Sequence, residues 1–174
     1  MKYLAILLLT IVLGGCGVKV HTLQDNEADF SKYKTFCWLQ GCEFSYSGPS
    51  YLDDSLWRET LKEAIIAEFA EKGIVQDEDN PDLLVDFHIT IENETSVTYH
   101  HIDEPYDFQP FPEVDDEIIN YLKGTMILDV VDRSKSKMVW RSESIGYMDV
   151  HPEISMKNIR RGIKMTLKKF PKEN

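Results

Sequence analysis

The sequence predicts an α+β domain: a small antiparallel sheet with two helices packed on one face, in the order β-α-β-β-β-α. Three observations carry that expectation. From Leu83 to Tyr99 apolar and polar residues alternate with the two-residue period of a half-buried strand. Two stretches, Leu52 to Lys72 and the residues after Pro152, repeat apolar side chains at helical spacing. The strands are grouped together rather than alternating with helices, the pattern of an α+β fold.

Taken in order, Ala28 to Leu39 passes from a turn into a strand, with Phe36 and Trp38 on one side and Thr35 and Cys37 on the other. Gly41 to Pro49 reads as a loop. Trp57, Leu61, Ile65 and Phe69 then recur every four residues, joined by Leu56, Ala64 and Ile66. Asp53 or Asp54 is placed to cap this helix by accepting its unpaired N–H groups, and Gly73 is placed to end it in a left-handed turn.

Asn80-Pro81 marks a turn before the long strand. There Val85, Phe87, Ile89 and Ile91 share one face, and Asp86, His88, Thr90 and Glu92 the other. One wet face implies antiparallel pairing. Gly124 to Asp132 and Lys137 to Tyr147 read as two further strands joined by the polar connection Arg133 to Ser136. In the closing helix Ile159, Ile163, Leu167 and Phe170 form the buried stripe, and Pro171 stops it. An extra short strand before the first helix is compatible with this order.

The N-terminus carries an address. Lys2 is followed by an apolar run from Leu4 to Leu13, and Leu13-Gly14-Gly15-Cys16 fits a bacterial lipobox. The run is too short to span a bilayer, which takes about 20 apolar residues. The expectation is therefore a signal peptide over 1–15, acyl chains on Cys16, a tether over 16–27 and a single domain over 28–174. Gly17 stands where an inner-membrane retention signal would place Asp. That favours the outer membrane, with the domain facing the periplasm.

Charge excludes some partners. The chain has 19 Lys and Arg against 30 Asp and Glu, a net charge of −11. Nucleic acid binding requires phosphate neutralisation and is excluded on that balance. Anionic lipid headgroups are disfavoured by the same total. The distribution is uneven, however. Lys157, Arg160, Arg161, Lys164, Lys168, Lys169 and Lys172 face only Glu173 at the C-terminus. Such a basic element invites pairing with its own acidic sheet, or an acidic partner.

With Cys16 consumed, Cys37 and Cys42 remain. Their C-x4-C spacing lacks the second pair that a four-ligand zinc site needs, so a local disulfide around Gly41 is expected.

Several segments in order resemble one family: Ala28-Asp29-Phe30-Ser31-Lys32-Tyr33-Lys34-Thr35-Phe36, Pro81-Asp82-Leu83-Leu84-Val85, Gly124 to Asp132, Val139-Trp140-Arg141 and Phe170-Pro171. Over roughly residues 28 to 171 the chain is similar to domain of unknown function 4136, a family of bacterial lipoproteins. The resemblance implies an exported, membrane-tethered α+β domain, and it brings no established activity and no catalytic residues. Cys37 departs from the family, where a small residue such as Ala is more usual.

The other departure is the connection from His100 to Ile118. It holds His100, His101, Asp103, Glu104, Tyr106, Phe108 and Phe111 among prolines and further acids, with no basic residue. Proline-stiffened aromatics suit a partner-docking loop, and the His and carboxylate groups suit a divalent cation or small solute. Asp86 and His88 share a strand face, but a catalytic dyad also needs a nucleophile and an enclosed pocket, and neither is visible. The expectation is a non-enzymatic envelope lipoprotein without a cofactor or resident metal. It would be held to the membrane through Cys16 and serve an envelope protein partner. Small-solute or divalent-metal binding through loop 100–118 is the alternative.

Overall fold

The computed structural model describes residues 18–41, 43–46, 50, 53–101, 114–150 and 155–171, with backbone alone at 99–101 and 114–116. Among them lie strands β1 (Lys19–Gln24) and β2 (Thr35–Trp38), helix α1 (Ser55–Ala70), and strands β3 (Val75–Gln76), β4 (Leu83–His101), β5 (Val114–Asp132) and β6 (Lys137–Asp149). Helix α2 (Met156–Leu167) closes the fold. The sheet has six strands in the order β1-β6-β5-β4-β2-β3.

This overturns the small antiparallel sheet and the β-α-β-β-β-α order. The sheet is larger, it is mixed, and strands dominate the molecule. β1 pairs antiparallel with β6 from Lys19↔Ile145 to Gln24↔Trp140, so half of the expected tether is an edge strand. β2 runs parallel to both β3 and β4. Parallel neighbours need a crossover, which the segment through α1 supplies between β2 and β3.

Both helices cover one face. Phe36, Leu83, Val85, Phe87, Leu128, Val130 and Trp140 line that face and are at most 1% exposed. Leu61, Ile65 and Phe69 of α1 and Ile163 and Leu167 of α2 pack on them. Phe170 sits where the layers meet, with ring contacts to Phe30, Phe69 and Trp140 at 5.6, 5.2 and 5.1 Å.

Local chemistry sets the ends of each helix. Asp54 caps α1, its carboxylate accepting from the Leu56 and Trp57 N–H groups. Ser155 caps α2 by accepting from Asn158 N–H at 3.2 Å. Gly73 follows α1 with φ +84°, a conformation that costs a residue with a Cβ. Over β6, α2 makes a polar contact. Ser142 Oγ donates to the Thr166 carbonyl at 3.0 Å, and Ser144 and Thr166 hydroxyls meet at 2.8 Å.

Candidate functional site

The two poles of the sheet differ in chemistry. At one pole lies a groove of about 530 Å³ lined by Asp29, Tyr33, Pro81, Asp82, Asp132 and Arg133 among others. Its centre is Asp132, 3% exposed. The carboxylate accepts from Tyr33 Oη at 2.9 Å, Ser134 Oγ at 2.6 Å and Lys135 N–H at 3.1 Å. The Lys135 ammonium lies 3.4 Å away. Burial pushes this carboxyl up, but the hydrogen bonds from Ser134, Tyr33 and Lys135 outweigh it and hold the group at about 2. Burial first, and then the bond to Asp132, pushes the Tyr33 phenol up, so it remains a donor.

Asp82 works beside it, accepting from the N–H groups of Lys34 at 2.8 Å and Thr35 at 3.1 Å. Arg133 Nη1 donates to Asn80 Oδ1 at 3.2 Å. Neither Asp132 nor Tyr33 is poised as a base or nucleophile, because each is committed to the other. The groove therefore joins the turn before β2, the start of β4 and the β5–β6 turn. Asp29, Tyr33, Pro81, Asp82, Asp132 and Phe170, drawn from the segments that suggested the family, all gather at this pole. Sequence reasoning had the residues without their common purpose, since contacts such as Tyr33 to Asp132 span 99 positions.

The opposite pole carries a long ribbon. β6 pairs with β5 only as far as Tyr121↔Asp149, whereas β4 and β5 continue in register to His101↔Val114. Residues 95–101 and 114–120 thus form a two-stranded arm of about 23 Å, at roughly 3.3 Å per residue. Cross-strand neighbours Val97 and Ile118 are 43% and 63% exposed, and Ile119 is 45% exposed. Thr95 Oγ1 donates to Asn120 Oδ1 at 2.9 Å. At the root of the arm, the Lys123 ammonium bridges Glu92 and Glu94 at 3.2 and 3.3 Å, and the Tyr121 hydroxyl donates to Glu94 at 3.2 Å.

The expected loop 100–118 is shorter than the sequence suggested. His100, His101 and residues 114–118 belong to the ribbon backbone, with His100↔Asp115 and His101↔Val114 as pairs. Asp103, Glu104, Tyr106, Phe108 and Phe111 lie outside the described residues, as do Cys16, Cys42 and His151. Cys37 is fully buried and disulfide-bonded. Among the described residues no three His, Cys, Asp or Glu side chains group to hold a metal.

On the sheet face away from the helices, His88 Nε2 lies 2.7 Å from Asp86 Oδ2. The other Asp86 oxygen accepts from Phe87 N–H at 3.0 Å. Across the same face Arg141 grips Asp129 with a two-pronged ion pair. The register places Ile127 beside His88 and brings no Ser, Thr or Cys directly opposite it.

The fold is thus a mixed six-stranded sheet with helices on one face and a ribbon projecting at one pole. The chain belongs to the family described as Domain of unknown function (DUF4136), whose model matches residues 20–172 and so takes in β1. No curated protein matches it. Among solved structures it is similar to a PDZ domain protein from Parabacteroides distasonis, at 18% identity and a TM-score of 0.53. That match covers 90% of this chain and 35% of the other, so this chain spans about a third of that protein, and the likeness is one of fold. A PelC dodecamer from Paraburkholderia phytofirmans is 9% identical with a TM-score of 0.49, covering 86% of this chain and 94% of that one.

Proposed function

We propose that the mature chain is a bacterial envelope lipoprotein, anchored by acyl chains on Cys16, and that it is a non-enzymatic interaction or assembly-support module. The lipobox and Gly17 support an outer-membrane location facing the periplasm. One observation carries the interaction reading: the β4–β5 ribbon leaves the body of the sheet and presents Val97, Ile118 and Ile119 to solvent. Among the described residues the arm has no third strand beside it, so its apolar groups contribute little to the domain's own core, and the same groups suit contact with another protein. The titratable pairs Asp86–His88, Asp129–Arg141 and Tyr33–Asp132 each have a structural partner, which supports a role without chemistry.

Photo-crosslinking in native membranes tests this. A photoreactive residue at Ile118 is expected to give a discrete protein adduct, whereas one at Lys135, on the opposite pole, gives none. The adduct is expected to vanish with Cys16→Ser. Equal patterns from both positions would refute the ribbon as the contact. A protein mass showing no acyl chains on Cys16 would refute the anchor.

A further inference from the structure

The basic residues of α2 form a stripe that the fold itself does not use. Lys157, Arg161, Lys164 and Lys168 recur at spacings of four, three and four, which places them on one side of the helix. All four are exposed, and Arg160 and Lys169 flank them. Ile163, Thr166 and Leu167 occupy the opposite, buried side. Among the ion pairs of the described residues only one involves this helix, Arg160 with Glu63 at 3.4 Å. Pairing with the acidic sheet therefore leaves the stripe un-neutralised.

Helix stability does not account for it either. Lys164 near the C-terminus suits the helix dipole, but Lys157 sits in the first turn, where cations are disfavoured and α2 has no acid.

Position supplies the second half of the argument. α2 packs on β6, and β6 pairs with β1. β1 begins at Lys19, three residues after Cys16. Three residues extend at most about 11 Å. An acylated Cys16 would hold the β1 edge of the sheet close to the bilayer, and α2 lies one strand inward on the helix-bearing face. The net charge of the chain repels anionic lipid, yet screening over about 8 Å at physiological salt lets a local patch act on its own account.

We propose that the exposed stripe of α2 docks on anionic lipid headgroups and fixes the orientation of the tethered domain on its membrane. This rests on the anchoring reading above, and phosphate groups of the lipid are the ligands.

The test uses the full acylated protein in vesicles of phosphatidylcholine alone and of phosphatidylcholine mixed with phosphatidylglycerol. A brief amine-labelling pulse is read at each lysine by mass spectrometry. Labelling of Lys157, Lys164 and Lys168 is expected to fall at least about threefold in the anionic vesicles and to recover in high salt. Lys123, on the sheet face away from the helices, serves as the reference and should not change. Arg161→Glu, an exposed substitution that leaves the core untouched, is expected to weaken the protection of Lys157 and Lys164. Equal labelling in both vesicle types, with Cys16 acylated, overturns the docking and leaves the anchor standing. Protection in native membranes alone overturns it in favour of an acidic protein partner. An unacylated Cys16 overturns the anchor and the docking together.

Discussion

Asp132 shows how a buried charge becomes a structural fixture. Its carboxylate is held down to about 2 by the donors around it, against about 3.9 in an unfolded chain. A depressed folded value means the stabilisation is fully present above the unfolded value and is lost as pH falls from about 4 toward 2. After allowance for screening, the contribution is on the order of 1–2 kcal/mol. Tyr33 acts in the opposite sense. Its phenol is raised, so its contribution is present below about pH 10 and is lost at higher pH. Tyr33→Phe removes one donor from Asp132 and is expected to cost about 1 kcal/mol at neutral pH. Urea titrations across the pH range should show the variant losing stability at a higher pH on the acid side, with a smaller loss on the alkaline side. Phe170 is a second fixed point, 2% exposed and in contact with three other rings. Phe170→Ala is expected to cost about 3–5 kcal/mol in the same measurement.

At the scale of elements, periodicity was legible where one face is buried and one is wet. The helix expected over Leu52 to Lys72 runs Ser55–Ala70, with Asp54 as its cap and Gly73 just beyond. Leu56, assigned to its apolar stripe, is 61% exposed because it lies in the first turn, before the helix meets the sheet. In β6 the simple alternation fails. A register shift at Val130/Val131 lets both Val139 and Trp140 be buried and leaves Met138 41% exposed. Alternation in β4 also suggested burial along its whole length. Val97 keeps the pattern but is exposed, because among the described residues no helix or third strand reaches that far. Whether an apolar position is covered depends on neighbours remote in sequence, which a local period does not encode. Asp54→Ala is expected to cost about 1 kcal/mol, and Gly73→Ala about 1 kcal/mol by forcing a Cβ into positive φ. Thermal unfolding of the two single variants and the double would check both values. The sites are at opposite ends of α1, so the effects should add.

The whole molecule depends on a strand that looked like linker. Lys19–Gln24 lacks the apolar alternation of a core strand, and its Leu23 is 64% exposed, so composition alone marked it as tether. Its contribution comes from backbone pairing, six residues in register with β6, which no hydrophobic pattern announces. Just past it, Asp25 N–H donates to the Val139 carbonyl at 2.9 Å, and the Asp25 carboxylate meets the Lys137 ammonium at 2.7 Å. A domain boundary at residue 28 would remove all of this and turn β6 into an open edge. Unpaired edges of that length template association with other chains. A chain beginning at Val18 is therefore expected to be monomeric and cooperative in unfolding, whereas one beginning at Ala28 should unfold at lower denaturant and self-associate. Sedimentation beside urea unfolding of the two versions distinguishes the outcomes. Equal stability and equal sedimentation would mean that β1 is dispensable. The short reach from Cys16 to β1 would then no longer constrain how the domain sits above its membrane.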